Sequence, residues 1–386
     1  HRLRKFTPQS LFLSVLHLVA GTNQQGYQSA LLKAWSDLGE FENAPVKSSL
    51  SKARQRVSFE FFKERFYELV DQANDLRRTY RGFYIYAIDG QETTIPLSEQ
   101  ILEVGFRGRA RAHDMETYYP RLYVSALLDV VNEFVVGVRP TAERNENNDA
   151  KELLEKTERN SIVLYDRAYI CKALLRAHQD KGNYFIFRCQ RGGTLKTIIE
   201  FYKSGAPRMT WEYEGMRIRL IRYKNPKTQE DMVFATNLSE EQFSDEEVAC
   251  LYARRWGVET SFRDSITQAL EQWHAKTPNG ILQEFYAHFW LMNIARIQLM
   301  AERREDPTDW LQPEYKKSNL KLVIETLVLN LKLIVARKFT LLIKRLNQVI
   351  RRTIEKRVHL KRSYPRVRKY SRKSFTYNNL VQRRGP

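Results

Sequence analysis

The chain has 386 residues, 42% hydrophobic and 12% aromatic, which excludes a disordered protein and leaves room for two or three domains around a sizeable core. Its net charge is +19, and residues 331–386 alone hold 18 Lys and Arg against one acid, Glu355. The run 11–19 is broken by Ser14 and His17, no signal-type cleavage site follows it, and no apolar run reaches the roughly 18 residues of a membrane span.

A basic tail punctuated by aromatics suits a polyanion. Nucleic acid is favoured over an anionic membrane surface, because the tail has no long apolar face after about Ile354. Cys171, Cys189 and Cys250 lack metal-ligand spacing and suit a reducing, cytosolic compartment.

Residues 1–80 read as helices, with apolar spacing over 11–20, 27–38 and 59–76 and breaks at Gly21-Thr22-Asn23 and Pro45. Residues 48–56 are basic and helical in pattern. They are either a DNA-reading element or a solvated helix face. The apolar run FYIYAI, 83–88, suits a buried central strand and ends on Asp89-Gly90. A basic loop, FRGRARAH, occupies 106–113. Two strands over 122–130 and 134–138 are joined at Asn132-Glu133, and 149–158 favours helix. A short strand over 162–165 ends on Asp166, and a helix over 169–179 and a strand over 184–189 follow. Acids thus sit at two strand ends, where open α/β sheets place their sites. Short alternating runs between turn signals make 190–243 an all-β insertion. Helices resume over 281–301 and 320–354.

A further helix starts at Ser244, which with Glu247 forms a capping-box pattern. Residues three and four apart share a helix face, so Tyr252, Arg255, Glu259 and Arg263 fall on one side. A carboxylate among such basic neighbours stays ionised and can ligate a hard cation. The alternative is a solvated face with an ordinary charge mix. Asp89, Asp166 and Glu259 then form a set of three acids. Carboxylates suit Mg²⁺, with Mn²⁺ as substitute, and two such ions about 4 Å apart stabilise both oxygens of an in-line phosphoryl displacement. His113, His178, His274 and His288 have no ligand spacing, and Gly192-Gly193 reads as a turn.

These residues resemble the DDE transposases of the bacterial insertion-sequence type, the IS-four family. That family carries a signature of Tyr, then Arg three on, Glu four further and Lys seven beyond. Tyr252, Arg255 and Glu259 match, and Ile266 stands where the lysine belongs. Ile88-Asp89-Gly90 resembles the first-acid motif, Asp166-Arg167-Ala168-Tyr169 the family's Asp-Arg-Gly-Tyr, and Thr236-Asn237-Leu238 the Thr-Asn-Leu ahead of the signature helix. The likeness runs from about Phe83 to Arg304.

The resemblance implies an α/β protein with an RNase H-like catalytic core over 81–304. A helical DNA-binding region over 1–80 and a basic helical region for DNA binding and dimerisation over 305–386 flank it. It implies a Mg²⁺-dependent cut-and-paste transposase that cleaves at terminal repeats, forms a DNA hairpin and transfers strands to target DNA. Asp89, Asp166 and Glu259 become catalytic metal ligands for two ions. Tyr252, Arg255, Arg263 and Arg167 become DNA contacts, and Trp256 and Trp211 are the candidates to stack on a flipped base, Trp211 being otherwise a packed β-core residue. Arg366, Arg368 and Lys369 either clamp phosphates or belong to a solvated tail. Double-stranded DNA and a second copy of the chain are the implied partners, and the bacterial nucleoid the place of action. Ile266 leaves open a catalytically silent, transposase-derived DNA-binding protein. A branched-DNA nuclease on the same core is disfavoured by the insertion and the Tyr-Arg-Glu helix.

Overall fold

The computed structural model describes residues 6–20, 26–106, 120–225, 229, 231–255, 273–302 and 319–353. Eight strands form one mixed sheet: β1 (Ile85–Thr94), β2 (Arg121–Asp129), β3 (Phe134–Thr141), β4 (Ile162–Tyr165), β5 (Tyr184–Arg188), β6 (Arg208–Tyr213), β7 (Met216–Lys224) and β8 (Asp231–Thr236), in the order β3-β2-β1-β4-β5-β8-β7-β6. The first three make an antiparallel meander, β4 and β5 run parallel to β1, and β8, β7 and β6 extend the sheet antiparallel. The chain is therefore α/β, as its alternation of strand and helix patterns implies. The central position of β1 follows from its sequence: Ile85, Tyr86, Ala87 and Ile88 are all fully buried, as a strand covered on both faces requires.

The helices are α1 (Pro8–Val19), α2 (Tyr27–Leu38), α3 (Lys47–Arg56), α4 (Glu60–Gln72), α5 (Glu99–Glu103), α6 (Glu146–Leu154), α7 (Lys172–Lys181), α8 (Lys196–Ser204), α9 over residues 245–255, α10 (Pro278–Glu302), α11 (Leu320–Leu329), α12 (Leu331–Val335) and α13 (Phe339–Arg352). The longest, α10, buries residues on every side and packs against α1, α4 and β3. A helix apolar all round belongs inside a fold. It ties the first four helices to the sheet. No described helix is long and apolar enough to cross a membrane.

Three expectations need correction. The strand expected to end at Ile88 continues to Thr94, because β2 goes on pairing with it as far as Thr94 opposite Arg121. Asp89 therefore sits within the strand. The segment 190–243 is not all-β, since 196–204 forms α8, with Ile198 and Phe201 buried three apart and Gly205 (φ 67°) ending it. Its strands join the main sheet through β8 on β5. On α3, Arg54 is buried: it donates to Glu284 (2.7 Å), Gln283 (3.0 Å), the Gly280 carbonyl (2.6 Å) and the Tyr27 hydroxyl (2.9 Å). That arginine binds α10, which removes it from any DNA-reading face.

Candidate active site

Strand register sets the site. β1 and β4 pair only from Ile85 opposite Ile162 to Ala87 opposite Leu164. Two residues past the Ala87–Leu164 end of that ladder, Asp89 stands level with Asp166, the residue after β4. On the next ladder Tyr165 lies opposite Phe187, so Asp166 is level with Arg188 at the end of β5. Asp89, within β1, and Asp166 and Arg188, at the carboxyl ends of β4 and β5, form a row across three parallel strands, beside the crevice where open α/β sheets carry their chemistry. The Gly90 N–H donates to Asp89 Oδ1 at 2.9 Å.

Helix α9 lies over this row. Its capping box forms as the sequence implies: the Ser244 N–H donates to Glu247 (2.9 Å) and the Glu247 N–H to the Ser244 hydroxyl (3.3 Å). The Tyr252 ring packs on Phe234 of β8 with centroids 4.9 Å apart. Its hydroxyl donates to Asp166 Oδ1 at 3.2 Å and accepts from Arg255 Nε at 3.1 Å. The Arg255 guanidinium then reaches both acids, Nη1 lying 3.6 Å from Asp89 Oδ2 and Nη2 3.7 Å from Asp166 Oδ1. Arg255 is 4% exposed, whereas the Asp89 and Asp166 side chains are 26% and 42% exposed. A buried cation thus backs two accessible carboxylates.

Burial above all pushes the Tyr252 phenol up to about 12, against the pull of Arg255. It stays protonated, and hence a donor to Asp166, throughout the neutral range. Burial works against the charged form of Arg255, but Tyr252, Asp166 and Asp89 outweigh it and raise its pKa.

The opposite face of the sheet supplies a floor. A Cβ on Gly90 would lie 3.5 Å from Glu146 Oε1 and 3.5 Å from the Tyr169 hydroxyl. The Tyr169 N–H donates to the Asp166 carbonyl at 3.2 Å, so its ring spans from the Asp166 turn to the strand of Asp89. Glu146 and Arg188 escaped the sequence reading. Only strand register, which a single sequence does not display, brings them to this edge.

Thr236-Asn237-Leu238 clamps β5: the Thr236 hydroxyl donates to the Phe185 carbonyl (2.6 Å), and Asn237 Oδ1 accepts from the Phe185 N–H (2.9 Å). Of the expected DNA contacts, Arg167 is exposed beside Asp166. Trp211 is half-buried on β6 beside Tyr213 (5.4 Å), four strand spacings or about 19 Å from β4. Glu259, Trp256, Arg263, Ile266, Arg366, Arg368 and Lys369 lie outside the described residues.

The donor chemistry fits a hard divalent cation. Asp89 and Asp166 offer accessible oxygens that converge on one point of positive charge, now the Arg255 guanidinium. Among the described residues no group of three or more His, Cys, Asp or Glu gathers to hold an ion. The third acid of the set, Glu259, is outside them.

Residues 80–294, more than half of the chain, match the family model for the transposase DDE domain. The transposase InsG for insertion sequence element IS4 of Escherichia coli (strain K12) is 21% identical over 272 residues, which is 66% of this chain and 61% of that protein. The chain thus spans less than two thirds of this relative's length. A structure of the piggyBac transposase synaptic complex with hairpin DNA covers 97% of this chain and 80% of its own, at 11% identity and a TM-score of 0.48. The family match includes both convergent acids, and the chain belongs to the DDE-domain transposases, with the IS4 type among its relatives.

Proposed function

We propose that the protein is a cut-and-paste DNA transposase that binds transposon terminal repeats, cleaves DNA strands at them and joins the ends to target DNA. One observation carries the reading: Asp89 and Asp166, level on adjacent parallel strands, face one buried guanidinium from opposite sides. The strand order β3-β2-β1-β4-β5, with only β2 antiparallel to the rest, supports an RNase H-like core.

Asp89 and Asp166, with Glu259 supplied by the signature motif, would hold two Mg²⁺ ions, which supply the charge that activates the attacking oxygen and stabilises the leaving 3′-oxygen. Tyr252 orients Asp166 through its hydroxyl. Arg255 neutralises the acids before substrate arrives and contacts the phosphate near the scissile bond afterwards. Arg167 and Arg188 flank Asp166 and attract the strand backbone. Arg263 and the tail residues Arg366, Arg368 and Lys369 add phosphate contacts. Trp256 stacks on an extruded base in a hairpin step. Trp211, so far from β4, contacts flanking DNA. Two copies pair two transposon ends, the helical regions 1–80 and 305–386 bind DNA around the core over 81–304, and the reaction takes place at the bacterial nucleoid.

The test is cleavage of a labelled duplex carrying the terminal repeat, in Mg²⁺ and in Mn²⁺, by this chain and by Glu259→Ala. Nicked and hairpin products from the parent that vanish in the variant are expected. Specific binding with no cut by the parent in either ion would instead identify a silent DNA-binding protein.

A further inference from the structure

Outside edge strand β3 lies a cavity of about 320 Å³ between α4, β3, α6 and α10, at the small end of the roughly 300–1,000 Å³ of ligand sites. Phe59, Tyr67 and Tyr286 wall it, and Phe59 and Tyr286 stack with planes 8° apart. Its acid is already taken: Glu152 pairs with Arg139, which also binds Asp149 at 2.9 Å. Lys63 pairs with Glu60 at 2.9 Å.

Two donors are left over. The Lys156 stem crosses Gly137 so closely that a Cβ there would meet Lys156 Cδ at 2.8 Å. Its ammonium rests 4.0 Å from the Tyr67 ring centroid and has no carboxylate at ion-pair distance among the described residues. A ring face attracts a cation but does not fill its N–H donors. Burial first, and Lys63 second, lower its pKa against the pull of Asp71. Tyr286 is 3% exposed, and its hydroxyl makes no hydrogen bond among the described residues. A site rich in donors, poor in free acceptors and walled by rings suits an anion carried on a flat or apolar body.

Its place narrows the ligand. Asp89 lies opposite Ala126, and Ala126 opposite Val138, a cavity residue. The cavity is therefore level with Asp89, two strand spacings or about 10 Å across the sheet. At about 3.4 Å of helix axis per nucleotide of one strand, that is roughly three nucleotides.

We propose that this cavity seats one nucleotide of the DNA strand flanking the cleavage point. Lys156 and the Tyr286 hydroxyl hold its phosphate, and the Phe59–Tyr286 wall takes its sugar or base. The proposal rests on the DNA-transposase reading above. The same chemistry would accept a free nucleotide, so the experiment separates the two sources.

The full-length chain, Lys156→Met and Tyr286→Phe are titrated, by fluorescence anisotropy across a salt series, against a labelled duplex with a single-stranded 3′ extension. The same three proteins are titrated with dAMP and with inorganic phosphate by calorimetry. Methionine keeps the stem over Gly137, and Phe removes only an unpaired hydroxyl, so thermal midpoints should match the parent. Lys156→Met should weaken DNA binding roughly tenfold at low salt and flatten the log K against log salt slope by about 0.9. Tyr286→Phe should weaken it a few-fold. A parent-like duplex affinity and slope in both variants would overturn the proposal. So would loss of dAMP or phosphate binding with DNA binding intact, which would assign the cavity to a free nucleotide. Failure of the transposase reading is read separately, from the cleavage assay above: a parent that binds duplex without cutting it fails that reading and leaves this one standing, whereas a parent that binds no duplex overturns both.

Discussion

Two arginine clusters touch strand β1, one near its amino end and one at Asp89 in its middle, and they are built differently. At the amino end, Arg77 donates to Asp129 (2.9 Å), Glu158 (2.8 Å), Asn74 (3.1 Å) and the Tyr86 hydroxyl. Both Arg77 and Asp129 are almost wholly buried, at 1% and 0%. At Asp89, Arg255 is also buried, but its carboxylates lie at 3.6 Å and 3.7 Å and remain partly open to solvent. Those are charge contacts longer than hydrogen bonds. The first cluster is closed by its own partners. The second keeps its carboxylates accessible, at 26% and 42% exposure. Residue types alone do not separate the two; distances and exposure do.

Substitutions at the two arginines test this contrast. Arg77→Met strands Asp129 as an uncompensated buried charge and should cost about 3–5 kcal/mol, read as a fall in urea midpoint, while activity per folded molecule is unchanged. Arg255→Met should do the opposite: DNA cleavage falls roughly a hundredfold, about 2.7 kcal/mol of barrier, with the midpoint nearly unmoved. Equal stability losses at both arginines would erase the distinction.

A neutral buried pair beneath the site sharpens it further. His178 bonds the Tyr165 hydroxyl at 2.9 Å, one residue before Asp166. Burial lowers its pKa from 6.5 to about 3. The unfolded chain therefore binds the extra proton first, and stability should fall as pH drops through the interval from about 6.5 to 3. The slope from this group is about 1.4 kcal/mol per pH unit. His178→Phe should remove that part of the acid slope in denaturation series at pH 7, 5.5 and 4. The smallest effect concerns the helix that carries Arg255. Ser244→Ala breaks the capping box and should cost about 1 kcal/mol; a loss of cleavage larger than the loss of folded protein would show that α9 must be held in place for the site to work.

Much of the fold is legible in the chain because it is local. The strand at 162–165, the capping box at Ser244 and the helix at 27–38 each follow from a few consecutive residues. The signature motif likewise exposes Tyr252 and Arg255 as a pair on one face. Glu146 and Arg188 belong to the same edge only through pairings between distant strands. The end of β1 was misread because Asp89-Gly90 looks like a strand terminus. The partner that carries β1 on to Thr94 lies about thirty residues further along. α8 hid among alternating runs because nine residues with two buried apolar side chains give little periodic signal.

The Arg54–Glu284 pair joins residues 230 positions apart, and that separation has a consequence for biosynthesis. At about 5–20 residues per second, α1–α4 leave the ribosome roughly 10–50 s before their partner helix exists. During that interval the apolar faces destined for α10 are open, and Arg54 has no acid to meet. Nascent chains stalled before residue 278 should therefore expose these helices to chaperones and proteases. Those stalled well after residue 302 should protect them.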